Sequence, residues 1–364
     1  MLLFYLSDRY LLGMGAWLAL LAVSFWWGLK SRRRWKGSPA RLRWIHAGLS
    51  LWFVLCSLTL PELGFALFYD RTDSFNITNV SDRWLKRHVR LNPQGYRDTN
   101  PFTRTIPEGR KRIVFLGDSF TFGHGLEREA DRFSNRVRQE LENVAKGRFT
   151  VANMGVPGIA INDMVPMWEH SVIQADCRVD VVVYTICLND IEWMARKQTE
   201  KQYEPLAKLK PQFFLLRNTY FYNWLYYRLQ IWRQPRLKNY YEFVREYYAG
   251  PPWLKMREQL DNLHKVLREQ GTELRLVVFP FLHNLGPDYP FREAHQRIVG
   301  YAKENRIPVL DLEPVLTPHA SDGLMVNPFD AHPNSRANEL AADAIVKDLL
   351  PDLIHPLDEN QRKL

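Results

Sequence analysis

Apolar and polar positions along this chain fall into two regimes. Up to about residue 73 the apolar positions run together: "YLLGMGAWLALLAVSFWWGL" (Tyr10 to Leu29) and "WIHAGLSLWFVLCSLTL" (Trp44 to Leu60) are unbroken. The first has about the twenty residues a bilayer-spanning helix needs, and the second reaches that length if "PELGFALFY" continues it. Two spanning helices, at about 10–29 and 44–68, are therefore predicted in preference to buried core helices. From residue 74 onward the pattern alternates. "RIVFLG", "FTVANMG", "VDVVVYTIC", "LRLVVFP" and "IPVLDL" are short runs rich in Val, Ile and Leu that read as strands. Between them, "EREADRFSNRVRQELENVA", "WLKMREQLDNLHKVLREQG" and "FREAHQRIVGYAKENR" repeat apolar residues every three or four positions, as amphipathic helices do. Strand alternating with helix predicts an α/β fold, a three-layer α/β/α arrangement around a parallel sheet. In such sheets the functional rim lies at the carboxyl ends of the strands. That rim gathers Ser119, the loop after Asn153, the loop after Cys187 and the segment after Pro280.

One segment, Trp193 to Pro252, breaks the rhythm with a concentration of Tyr, Trp, Phe and Arg. Disordered segments are poor in aromatics, so a helical cap over the rim is the expectation. The pattern leaves open whether its aromatics form a packed core, a sugar-stacking wall or a membrane-facing surface. The predicted division is a membrane anchor over 1–73 and a second domain over 74–364, interrupted by this insertion at about 193–252.

Charge refines the picture more than composition does. The net charge of +9 suggests nucleic acid, but its distribution does not. "KSRRRWKGSPARLR" (Lys30 to Arg43) carries no acid and lies between the two apolar runs. By the positive-inside rule this connector is cytoplasmic, so the chain before and after the two spans faces outward and the second domain is extracytoplasmic. No nucleic-acid partner is expected. In a cleavable signal peptide the positive charges precede the apolar run; here they follow it. Glu62 is expected at the membrane interface, where a carboxylate costs little. Cys177 and Cys187 bracket a predicted strand that at about 3.3 Å per residue holds them roughly 30 Å apart, so no disulfide is expected.

The chemistry begins at "RIVFLGDSFTFGHG" (Arg112 to Gly125), a buried strand running into Gly117-Asp118-Ser119. Neither nucleotide-binding glycine fingerprint is present, so a phosphate cradle is excluded and a nucleophile at the mouth of a sheet is left. "GDSFTFG", "NMGVPG", "LND" and "DAHPN", in that order and each at a strand end or before the last helix, resemble the blocks of the SGNH (GDSL-type) hydrolase family. The resemblance covers roughly Arg112 to Leu350, and "NPQGYRD" (Asn92 to Asp98) is similar to the lead-in of its membrane-anchored members. It implies Ser119 as nucleophile, and an oxyanion hole made by the backbone N–H groups of Ser119 and Gly158 with the side-chain amide of Asn189. Aligned on the family's Asn-x-x-x-x-Gly pattern, "NMGVPG" selects Gly158 and not Gly155.

Two histidines compete for the base. "DLIHP" (Asp352 to Pro356) matches the family's Asp-x-x-His-Pro spacing literally, whereas in "DAHPN" Asp330 and His332 are two apart. His332 is chosen, with Asp330 as its orienting acid, because the family's last helix follows the histidine directly, as "SRANELAADAIVKDLL" follows His332. That helix would carry His355 about 20 Å away. Asp-x-His also occurs in related carbohydrate O-acetyltransferases. Phe329 stands where most members keep the aspartate, and Cys187-Leu188 replaces the usual Gly-x. Cys187 is read as packing rather than as a rival nucleophile, and His124 and His283 as loop histidines near the rim, with contact to substrate as the alternative. No histidine–cysteine cluster has metal-ligand spacing, so neither metal nor cofactor is expected. The implied activity is a serine esterase or deacylase acting on an extracytoplasmic, glycan- or lipid-linked acyl ester. The alternatives are an O-acyltransferase using the same acyl-serine chemistry and a non-catalytic scaffold. Any membrane acyltransferase partner is left open.

Overall fold

The computed structural model describes residues 2–197, 200, 204, 208–234 and 240–355, which form two compact units. The described residues 2–71, 75–87 and 208–234 make up the first unit, and 72–74, 88–197, 200, 204 and 240–355 belong to the second.

Two long apolar helices, α1 (Asp8–Arg34) and α2 (Pro39–Leu67), dominate the first unit, and both are long and apolar enough to cross a membrane. They run through most of the basic block, which leaves only residues 35–38 as connector. Trp17 Nε1 donates to Thr59 Oγ1 (2.9 Å), Trp52 Nε1 donates to the Leu21 carbonyl (2.8 Å), and Phe25 stacks on Trp52 at 4.4 Å. Beyond α3 (Asn79–His88) the chain enters the second unit.

The second unit is built on a parallel sheet of five strands: β1 (Lys111–Gly117), β2 (Phe149–Gly155), β3 (Val181–Cys187), β4 (Glu273–Phe279) and β5 (Val309–Asp311), in the order β2-β1-β3-β4-β5. Every residue of β3 is buried, as a central strand covered on both faces requires, while the edge strand β2 alternates. The short α4 (Ser119–Phe122) follows β1 at once. Next come α5 (Phe133–Val144), which buries Phe133, Val137 and Leu141, and α6 (Ile161–Trp168). After β3, α7 (Phe214–Asn218) and α8 (Phe221–Arg233) return to the first unit. α9 (Tyr240–Ala249), α10 (Pro251–Glu269), which buries Met256, Leu260, Leu263 and Leu267, and α11 (Arg292–Glu304) cover the sheet's unit again. A two-stranded ribbon, β6 (Met325–Asn327) with β7 (Asp330–Pro333), leads into α12 (Ser335–Ala344). All five predicted strands and the parallel order of the predicted fold class are present.

Two expectations change. The aromatic stretch is not one cap: Val244 and Tyr248 of α9 are core residues of the second unit, whereas 208–234 packs within the first. Glu62 supplies the physical reason. Instead of lying at a wet interface it is buried, and its carboxylate accepts the backbone N–H groups of Tyr220 (2.7 Å) and Phe221 (2.9 Å), orphan donors at the start of α8. Arg83 is buried as well and donates to the carbonyls of Phe65, Ala66 and Tyr69 where α2 ends. The other change is at residues 72–74, expected to straddle the edge of the anchor: they belong with the sheet's unit.

Candidate active site

The register Gly117↔Gly155 and Gly117↔Thr185 brings the ends of β1, β2 and β3 level, so the loops that follow them share one rim. Gly117 and Gly155 are glycines for lack of room. A Cβ on Gly117 would stand 2.8 Å from the Thr185 carbonyl oxygen, and one on Gly155 would stand 2.3 Å from the Phe122 nitrogen. The helix carrying Ser119 can therefore start in the last pleat of the sheet. Asp118 caps it, accepting the Phe120 N–H at 2.9 Å, and Ser119 sits half-buried at the lip of the sheet.

Ser119 Oγ lies 2.8 Å from His332 Nε2, and His332 Nδ1 lies 2.5 Å from Asp330 Oδ1. Burial would raise the Asp330 pKa, but the facing His332 ring and its hydrogen bond hold the carboxyl far below the ordinary carboxylate range. Burial likewise opposes a charged His332, yet the charge and hydrogen bond of Asp330 outweigh it and raise the ring above 6.5. Oδ2 of Asp330 accepts from Thr72 Oγ1. The Phe120 ring lies 5.4 Å from His332, centroid to centroid, and borders the relay on an apolar side.

Asn189 follows β3 on the same rim, its side chain near the buried Asp118 carboxyl, whose pKa burial raises. The Asn189 Oδ1 atom is buried with no partner. Gly158 sits in the loop after β2, exposed, at φ +79° with open space on its Cβ side. Asp190, next to Asn189, is buried and accepts from Tyr184 Oη at 2.6 Å, with burial first and Asp118 second in pushing its carboxyl well up.

The second histidine candidate is elsewhere. His355 is exposed, and Asp352 of its pentad holds Arg275 near the amino end of β4 at 2.6 and 2.7 Å. Its Asp-x-x-His-Pro spacing serves an ion pair at the far edge of the sheet. His283 lies in the turn after β4, its ring against Phe281 and its Nε2 on Asn284. Cys187 is fully buried, and burial drives its thiol pKa well up, which leaves little thiolate.

Three contributors escaped the sequence reading. His124 is one: its ring lies 4.5 Å from His332 and its Nε2 lies 3.7 Å from Asp330 Oδ2. Burial, then the neighbouring His332, push its pKa down to about 4, so it is neutral at ordinary pH. Arg97 of "NPQGYRD" is another; it is buried and donates to the carbonyls of Gly123 and Leu126, both at 2.6 Å, and so pins the loop that carries His124. Thr72 is the third, and no local pattern announces it. His124, Asp330 and His332 offer metal-ligand atoms within 4.8 Å of one another. Asp330 Oδ1 and both nitrogens of His332 are already committed to the relay.

The GDSL-like lipase/acylhydrolase family profile matches residues 115–340, more than half of the chain. The chain belongs to the GDSL-like lipase/acylhydrolase family. Among solved structures, this GDSL protein is similar to a lipolytic G-D-S-L protein from Desulfitobacterium hafniense, at 15% identity over 66% of this chain and 100% of that one (TM-score 0.41). It is similar also to the acetyl xylan esterase AlAXEase, at 14% identity over 65% and 98% of the two chains (TM-score 0.43). A catalytic variant of an acetylxylan esterase from Geobacillus stearothermophilus matches at 17% identity over 67% and 96% (TM-score 0.41). No curated protein sequence matches the chain. As a GDSL hydrolase it is an ester-cleaving enzyme.

Proposed function

We propose that this enzyme is a membrane-anchored serine esterase that removes acyl groups from a glycan- or lipid-linked ester outside the cytoplasm. The observation that carries the reading is the relay itself, Ser119 Oγ 2.8 Å from His332 Nε2 with Asp330 2.5 Å from His332 Nδ1. A scaffold or binding role needs no such alignment. In the proposed reaction His332 Nε2 takes the Ser119 proton as Oγ bonds to the acyl carbonyl carbon. Asp330 keeps the ring oriented and stabilises the imidazolium. The negative charge that develops on the carbonyl oxygen meets the N–H groups of Ser119 and Gly158 and the amide of Asn189. His332 then returns the proton to the leaving alcohol as the C–O bond breaks, and the acyl-serine is resolved by water. A sugar hydroxyl in place of that water makes the same site an O-acyltransferase.

The anchor rests on α1 and α2, and the outward orientation on the acid-free basic block Lys30 to Arg43, which spans the end of α1, the connector and the start of α2. The test uses full-length protein with a chromogenic acetyl ester, with and without oligosaccharide acceptors, and a fluorophosphonate probe. Labelling of Ser119 with steady hydrolysis supports the esterase; labelling with turnover only when acceptor is added favours the transferase. Folded protein that neither labels nor turns over leaves the scaffold. Reporter fusions after residue 74 that are active only in the cytoplasm would reject the outward orientation.

A further inference from the structure

Asp330 has a side that the relay does not use. Oδ1 faces His332, while Oδ2 accepts a hydrogen bond from Thr72 Oγ1. Both residues are buried, Thr72 at 4% exposure and Asp330 at 0%, so the hydroxyl is committed to the carboxylate and not to solvent. The backbone holds Thr72 in place. Ser74 N donates to the Phe329 carbonyl (3.0 Å), Ala331 N donates to Ser74 Oγ (3.0 Å), and Asn327 Nδ2 donates to the Thr72 carbonyl (3.1 Å). Residues 72–74 are thus tied to residues 327–331 on both sides of Asp330.

We propose that Thr72 is a positioning residue of the relay, resting on the reading of Ser119, His332 and Asp330 as that relay. A carboxylate turns about a broad, roughly two-fold terminal torsion. His332 grips one oxygen, and a partner on that oxygen alone leaves the rotation soft. Thr72 on the opposite oxygen fixes the plane, which keeps Oδ1 on Nδ1 and His332 Nε2 aimed at Ser119. Catalytic groups need such support to stay within about half an ångström of productive geometry. The stretch that follows the apolar helices in sequence therefore supplies part of the machinery, and the enzyme does not begin at residue 74.

Full-length Thr72→Val, Thr72→Ser and Asp330→Asn proteins test this, each checked for folding by its melting temperature. Thr72→Val keeps the side-chain volume and removes the donor. It should lower kcat and the rate at which a fluorophosphonate labels Ser119, in parallel and by about 10- to 100-fold, the scale of a small misplacement, with KM unchanged. Thr72→Ser should restore both rates. Folded Thr72→Val with wild-type rates, beside a crippled Asp330→Asn, overturns the role of Thr72 and leaves the relay standing. Equal losses in Thr72→Val and Thr72→Ser also overturn it, since the hydroxyl is then not what matters. Wild-type rates in Asp330→Asn remove the relay reading itself.

Discussion

Alanine in place of each candidate histidine should separate two sites that sequence spacing alone confuses. His332 Nε2 is 2.8 Å from the Ser119 hydroxyl. Removing a base that acts as one unit with its nucleophile costs on the order of 10⁶ in kcat, about 8 kcal/mol of barrier at about 1.36 kcal/mol per decade. His355 stands on the other side of the sheet. Its neighbour Asp352 is bonded to Arg275, which precedes Phe279 at the end of β4 by four residues. At about 3.3 Å per residue the pair is ~13 Å short of the carboxyl rim, too far for proton transfer. His355 is exposed, and such surface substitutions stay within about 0.5 kcal/mol. The assay is kcat and kcat/KM for a chromogenic acetyl ester with full-length protein, each variant checked for folding by thermal melting. His332→Ala should be almost inactive and His355→Ala near wild type. Comparable losses in two folded variants, or a His332→Ala enzyme within tenfold of wild type, would show that the last block has been assigned to the wrong histidine.

Asn189→Ala should slow kcat by roughly 10²–10³-fold, the usual cost of one oxyanion donor, while Ser119 still labels; a loss below tenfold would remove Asn189 from that role. Because Asp330 raises His332 above 6.5, activity should fall as pH drops through a midpoint higher than that value. Asp330→Asn should move the midpoint of whatever activity is left downward, because the largest effect opposing burial of the ring is then gone; a wild-type midpoint at or below 6.5 would contradict the pairing. Gly155→Ala should lower the melting temperature. Its Cβ would meet the Phe122 nitrogen at 2.3 Å and the Thr121 carbonyl carbon at 2.5 Å, overpacking worth about 1–3 kcal/mol; an unchanged melt would mean that the neighbouring turn yields freely.

The sequence by itself determined the strands of the sheet and that they run parallel, while their spatial order came from the structure. Five Val/Ile/Leu-rich runs separated by helix-period stretches leave little besides a parallel α/β layer, because a strand buried on both faces must be apolar throughout. Ser119 was legible for the same local reason: small residues at the end of such a strand mark a tight turn onto a helix. Asp330 and His332 were legible only through the resemblance of "DAHPN", ahead of a clear helix, to a block of the family. Only the tertiary structure decided the rest. His124 and Thr72 meet the relay, and Arg97 pins the loop that carries His124, through contacts that span dozens to hundreds of residues, and nothing in "FGHG" or "RTDSF" has a period or spacing that encodes them. Glu62 and the 208–234 stretch show the same limit, since the value of a buried carboxylate depends on which distant N–H groups it meets. Local pattern reports which face of an element is apolar. Which polar groups then face each other is settled only when the elements pack, because a buried charge is tolerated only where packing has given it partners.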